Sequence, residues 1–383
     1  MNIRDEALLR LENFTTPNLG NYAENRNFDF GFDNRNNTSL LSKYISHRII
    51  DEQEVIKFAY SKFPFKKIEK FIQEVFWRTY WKGWLEMRPQ VWDDYKKDLL
   101  HLRNQTSALQ YNQAITGTTK VVCFNDWVIE LKEHGYLHNH ARMWFASIWI
   151  FTLGLPWQLG ADFFLKHLLD GDAASNTLSW RWVAGLHTKG KHYVAAEWNI
   201  NKFSSKTYKH LHLNEQAQPQ QEDKNYSALP IYFDDISNEK SLFIFHNLDC
   251  SFHLCNEDRM RFDHYAIIDF NSFLKKENYS DQVLDFKLRS NNYLKKIAKD
   301  NFNSNLLIQD KKSLQLTIKE KDIKNIILPY LTTGYENDFI TEIKKEVKIF
   351  YLARDYDKLC WQFSTKGFFK FKEQIPRILT KFL

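Results

Sequence analysis

An α-helical domain followed by a smaller α/β domain is the architecture the sequence predicts, and three observations carry that expectation. The 383 residues exceed what a single hydrophobic core usually organises. Up to about residue 213, apolar residues recur at helical spacing. After a polar, aperiodic stretch at 214–228, short β-type runs alternate with polar helix-like stretches, the pattern of a parallel sheet with crossover helices. The expected division is a helical domain over 1–213, a linker over 214–228 and an α/β domain over 229–383.

Composition narrows the function classes. With 12 Trp, 18 Tyr and 31 Phe the chain is rich in aromatic faces suited to a ring cofactor or to bases, while only 12 Gly argue against a phosphate site built from glycine loops. The balance of 53 basic against 47 acidic residues leaves +6, which permits a polyanionic partner without demanding one. Charges at Arg4, Asp5 and Glu6 occupy the place of a signal peptide's apolar core, and four scattered cysteines fit a reducing compartment, so a cytoplasmic location is expected. The longest apolar run, 143–157, is interrupted by Gly154 and Pro156 and is too short for a bilayer. Cys250, His253 and Cys255 lie close together, but no second ligand pair of metal-site spacing follows, and no metal is expected.

In chain order, an amphipathic pattern predicts a helix over 5–14, and an asparagine-rich loop leads to Thr38-Ser39-Leu40-Leu41-Ser42. Hydroxyls there either cap a helix or hold a phosphate at its positive end. Over 67–85 a helix places Glu74, Trp77, Arg78 and Trp81 on one face. Charges between indoles fit a lined cavity; an amphipathic helix with a surface ion pair fits the spacing too. Residues 92–121 read as a helix, then a polar connection with a turn at 116–119, and a further helix covers 126–134. The apolar helix over 143–151 carries Arg142 at its start, where a buried guanidinium needs a partner. Asp170-Gly-Asp172 then precedes Asn176, Trp180 and Trp182; read alone, Asp172 is a helix cap and the indoles are core. Beyond the linker, β-type runs fall at 241–246, 264–270, 305–309, 325–328 and 347–352, without a Gly-x-Gly-x-x-Gly fingerprint. The segment 365–372 mixes lysines with phenylalanines, as a nucleic-acid contact or as a basic rim packed on the first domain.

Taken together and in order, these motifs resemble the flavin-binding half of the photolyase/cryptochrome family, from Tyr22 to about Tyr208. The resemblance implies FAD, held by Tyr22, Thr38, Ser39, Leu41, Ser42, Arg78, Asn139, Arg142, Asp170, Asp172 and Asn176, with Arg142 paired to Asp170. It places Asn176 beside the flavin N5 and makes Trp180 and Trp157 the proximal and middle members of an electron relay. A distal tryptophan does not fall at the family's separation, although Trp92 and Trp127 lie nearby. Both relay positions also read as ordinary core tryptophans. The implied partner is DNA containing pyrimidine dimers, met by Glu74, Trp77, Met143 and Trp182. Asn139 and Met143 resemble the cyclobutane-dimer subtype.

The family carries its α/β antenna domain before the flavin domain, and this sequence has no room for one there. The C-terminal domain therefore reads either as a relocated or reduced relative of it or as another accessory domain, and the resemblance does not identify an antenna chromophore. Light-dependent DNA repair by electron transfer from reduced FAD is the expected activity, of the deoxyribodipyrimidine photo-lyase type. A cryptochrome-like blue-light photoreceptor without repair is the alternative.

Overall fold

Phe65–Glu86 is the helix on which both halves of the chain converge. Its buried residues Ile68, Phe71, Ile72, Val75, Phe76 and Tyr80 recur at three- and four-residue spacing, which is the condition for one apolar face. It packs against Glu52–Lys62 and Ala173–Ala184 from the helical half, and against Asp355–Trp361 and Phe368–Lys372 from the end of the chain. Gly83 permits the closest of these approaches, because a Cβ there would lie 2.7 Å from the Trp361 ring. The computed structural model describes residues 1–233, 240–255, 261–343 and 347–383, the side chain of Cys255 excepted.

The helical expectations hold with shifted ends. The first helix runs over Ile3–Asn18, closed at its start by an Asn2–Asp5 capping box. The region expected as one helix and a connection contains two helices, Gln90–Gln105 and Ala108–Thr116; the second buries only Ala114 and so has no apolar stripe to read. Val122–His134 begins four residues before its expected start and ends at left-handed Gly135. The apolar helix begins at Asn139 and after Ser147 widens into a π-helical segment, Ile148–Thr152. Trp157–His167 and Ala173–Ala184 follow and pack on each other.

All five β-type runs are strands of one parallel sheet: β1 Ser241–Phe245, β2 His264–Ile268, β3 Leu307–Ile308, β4 Asn325–Pro329 and β5 Lys348–Leu352. Their order is β3-β2-β1-β4-β5, with Leu242 opposite His264 and Ile326 opposite Ile349. Strands β1 and β4 are buried along their whole length, as central strands covered by helices on both faces must be. The mainly helical first half and smaller α/β second half thus match the expected fold class. Residues 214–228 contain no helix or strand, yet they are tied to the helical half by Glu222 to Arg181 at 3.0 Å and Tyr226 to Asp94 at 3.0 Å. Cys250 and His253 are buried, whereas the Cys255 side chain lies outside the described residues. Among the described residues no helix is long and apolar enough to cross a membrane.

Between the halves lies a buried charge network. Arg48 forks onto Asp357 at 2.7 and 2.6 Å, reaches Glu52 at 3.2 Å and Asp249 at 3.3 Å, and sits in the left-handed region at φ 43°. Arg354 pairs with Asp249 and, at 2.7 Å, with Asp51. Burial alone would raise the Asp249 pKa, but Arg354 and Arg48 outweigh it and hold the carboxyl down at about 2. Replacing one cation therefore strands several buried carboxylates. Arg48→Met is expected to lower the unfolding free energy by about 3–5 kcal/mol in denaturant titration; an unchanged midpoint would show the network to be dispensable.

Candidate functional site

A cavity of about 510 Å³ opens between Phe65–Glu86, Asn139–Ser147, Ala173–Ala184 and the loop at 38–42, a size typical of cofactor sites. The structure brings sixteen of the predicted residues to its wall: Tyr22, Thr38, Ser39, Leu41, Ser42, Glu74, Trp77, Arg78, Asn139, Arg142, Met143, Asp170, Asp172, Asn176, Trp180 and Trp182. Two short segments account for much of this. On Phe65–Glu86, Glu74, Trp77, Arg78 and Trp81 share the cavity face. On Ala173–Ala184, Ser175, Asn176, Ser179, Trp180, Trp182 and Val183 do so.

Charge fixes the floor. Arg142 binds Asp170 through two hydrogen bonds of 3.0 and 2.9 Å, the pairing expected from the sequence, and lies over the Tyr136 ring at 5.1 Å. Burial pushes the Asp170 carboxyl up, yet Arg142 brings its pKa below the ordinary value. Asp172 is both the cap expected of it, accepting from Ser175 N at 2.8 Å, and the partner of Arg78. Asn176 is buried and donates its Nδ2 to the Ala161 carbonyl at 2.7 Å, which leaves Oδ1 as an acceptor. Ser175 Oγ, on the cavity wall, is buried and, among the described residues, has no hydrogen-bond partner. A site lined this way, with an orphaned hydroxyl, fixed guanidinium–carboxylate pairs and indoles, fits a large ring cofactor bearing polar edges and an anionic tail.

At the mouth the lining changes character. Glu74 is partly exposed there, 3.9 Å from Arg26, and burial of its surroundings raises its pKa against the opposing Arg26 charge. Trp77 is stacked on one face by Phe368, with ring centroids 3.6 Å apart and an interplanar angle of 13°. Asn139 Nδ2 approaches Met143 Sδ at 4.0 Å. His138 is buried and its Nε2 meets the Arg26 carbonyl at 3.0 Å.

Trp180 stands on the inner wall, in edge contact with Phe145, Trp149 and Phe164. Trp157, away from the wall, stacks on Tyr95 at 5.8 Å, and Tyr95 packs on Trp92 at 5.1 Å. Trp127, the other tryptophan near the expected distal position, stacks instead on Trp144 at 5.6 Å. Residues that sequence reasoning missed include Tyr136, Ser175, Ser179 and Phe369. Ser175 and Ser179 were findable, since they lie four residues apart on the face of Asn176 and Val183. Phe369 lies in the 365–372 segment expected to touch nucleic acid or to pack on the first domain, but nothing in the sequence tied it to this cavity, because it arrives from the far end of the chain.

A helical domain enclosing such a cavity defines a cofactor-binding protein, and the comparisons with known proteins identify the kind. Residues 71–299 match the family model of the FAD binding domain of DNA photolyase, and the chain belongs to that family, with FAD as its cofactor. The match extends beyond the motif run into the α/β half, while the 38–42 loop precedes it. The chain is similar to the deoxyribodipyrimidine photo-lyase of Buchnera aphidicola subsp. Baizongia pistaciae, 30% identical over 181 residues that cover 45% of this chain and 37% of that one. That of Streptomyces griseus is 34% identical over 152 residues, covering 39% of this chain and 33% of that one. The alignments thus span well under half the length of these relatives. Among solved structures, a bacterial class III photolyase from Agrobacterium tumefaciens is 27% identical with a TM-score of 0.44, covering 52% of this chain and 42% of its own. A Synechocystis cryptochrome is 21% identical with a TM-score of 0.43, covering 52% and 43% respectively.

Two outcomes follow from this geometry. A Cβ on Gly160 would lie 2.3 Å from the Trp180 ring, so Gly160→Ala should displace that indole, cost about 1–3 kcal/mol of stability and reduce bound FAD. Gly367→Ala, with nothing within 4 Å of its Cβ, is the control and should match wild type in melting temperature and 450 nm absorbance. The second concerns pH. Burial depresses the pKa of His187 to about 3, and of His138 and His253 to about 4, so these rings stay neutral in the fold. Near pH 7 neither state is protonated and the shifts cost nothing; below about 6.5 the unfolded chain binds protons that the fold refuses. Through these three histidines, stability should therefore fall as pH drops from 6.5 to 5. A flat unfolding free energy over that window would contradict it.

Proposed function

We propose that this protein is a light-dependent DNA repair flavoprotein acting on cyclobutane pyrimidine dimers in DNA. The observation that carries the reading is a single cavity with a fixed, charged inner wall and a mouth lined by Glu74, Trp77, Met143 and Trp182. When bound, reduced FAD would supply the photoexcited electron that splits the dimer. The protein's own residues then bind, orient and exclude water. Arg78, Arg142, Asp170 and Asp172 hold the cofactor in one pose because each is already paired before it arrives.

Asn176 would offer the ring an uncharged amide, whose Oδ1 is left to accept a hydrogen bond by the Nδ2 contact with the Ala161 carbonyl. Glu74 is the group for the pyrimidine's polar edge; its raised pKa makes a carboxylic O–H available nearer neutrality than an ordinary glutamate would. Trp77 and Trp182 line the cavity, and stacking on an extruded dimer is the role this reading gives them, offsetting part of the cost of leaving the duplex. Trp180, with Trp157 behind it in the family order, is assigned to refilling the oxidised cofactor. The linker at 214–228 and the division around it belong to the same reading.

The test is illumination of reduced, flavin-loaded protein with an oligonucleotide containing one thymine dimer. Wild type should restore monomers. Glu74→Ala and Trp77→Ala should lower repair, with lesion binding weakened by about 1–3 kcal/mol for the lost indole, while bound FAD and melting temperature stay near wild type. Normal flavin photoreduction without repair would favour the photoreceptor alternative, and parallel loss of FAD and stability would reduce this face to packing.

A further inference from the structure

The helix Phe368–Lys372 sets three phenylalanines in unlike environments. Phe368 and Phe371 are buried, the first flat on Trp77 and the second in ring contact with Phe76 at 6.0 Å and Tyr80 at 5.7 Å. Phe369 between them is 79% exposed, yet it belongs to the mouth of the cavity. A single exposed apolar ring usually means nothing. Here the neighbours on either side clamp the backbone, so the ring is held outward at the mouth at little further entropic cost.

The surrounding charge suits a polyanion. Lys366 is exposed and, among the described residues, makes no ion pair. Lys370 is exposed and pairs with Glu373 at 2.8 Å, and Lys372 faces Glu69 at 4.0 Å. Lys189 and Lys191 are also exposed, on the loop after Trp182, whose His187 packs on Trp81 at 4.6 Å. Exposed lysines beside an aromatic tip are what a duplex needs if its phosphates are to be held while its stack is opened.

We propose that Phe369 is a wedge that enters the DNA where the dimer leaves it, filling the vacated place in the stack and holding the duplex open beside the cavity. This deepens the repair reading and rests on it. Extruding two joined pyrimidines leaves a gap between base pairs and an unpaired opposite strand, and a fixed apolar ring both fills that gap and opposes re-entry. Phe369 is a positioning residue, since the cavity holds the lesion and the ring acts on what the lesion vacates.

The probe is a duplex carrying one thymine dimer with 2-aminopurine opposite it, titrated in the dark with FAD-loaded protein. Wild type should raise 2-aminopurine fluorescence on binding. Phe369→Ala should lose most of that rise and bind the dimer duplex about tenfold more weakly, with FAD content, melting temperature and affinity for the undamaged duplex unchanged. Phe369→Trp should restore the signal. If wild type neither binds the dimer duplex preferentially nor raises fluorescence, the DNA reading itself falls and the wedge with it. If wild type does both and Phe369→Ala does too, the wedge alone is overturned. A variant that loses FAD while its fluorescence rise per bound protein is intact would assign the ring to closing the cofactor cavity, which also overturns the wedge.

Discussion

The paired arginines Arg48 and Arg354, buried among Asp51, Glu52, Asp249 and Asp357, are the constraint on which the arrangement of the two halves depends. Two guanidinium charges face four carboxylates, and isolated charges of that number could not be buried. Helix starts make up part of the difference: Asp51 caps Glu52–Lys62 and accepts from Glu54 N, while Asp357 lies in the first turn of Asp355–Trp361. The network therefore closes only when Glu52–Lys62, the turn after β1 and the helix after β5 all meet. A slid or tilted interface would separate charges that have no water to turn to, which makes the docking specific even where it adds little net stability.

That docking decides the form of the cavity mouth. Asp355–Trp361 is seated on Phe65–Glu86 through the Gly83 contact with Trp361, and the chain continues directly into Phe368–Lys372. The face of Phe65–Glu86 that carries Trp77 is thus walled by a segment that sequence order places almost 300 residues away. A second bond across the same boundary, Tyr330 OH to Glu86 at 2.8 Å, ties the end of β4 to the end of that helix. The α/β half is consequently part of the site's scaffold.

Much of the site was legible because its residues sit close together in sequence on two helical faces. The spacing Glu74, Trp77, Arg78, Trp81 and the run from Asp170 to Trp182 needed only a 3.6-residue period to be placed on common walls. Asp172 is the helix cap that its place before the helix predicts, while its pairing with Arg78 is a contact no spacing announced. The five strands were legible too, since β-branched and aromatic runs between polar stretches leave few other readings. What escaped was non-local or lacked a pattern. Ala108–Thr116 is exposed on most sides and has no apolar stripe, and the π-helical segment changes pitch within an unbroken apolar run. Arg48 and Asp357 meet across 309 residues, and no local spacing announces such a pair. The same holds for Phe369.

The stack of Phe368 on Trp77 gives the division between halves a functional meaning. A lone tryptophan at the rim of a cavity would sample several rotamers, and any ligand stacking on it would have to meet the cost of stopping that motion. Here one face is already covered at 3.6 Å, while the residue still borders the cavity. The α/β half thus supplies a ring stacked flat on a tryptophan of the cavity wall. Because Phe368 is fixed through Phe371 and the seating of Asp355–Trp361, the orientation of Trp77 is set by the same interface that buries Arg48. Stability of the domain contact and readiness of the cavity mouth are, on this geometry, one property.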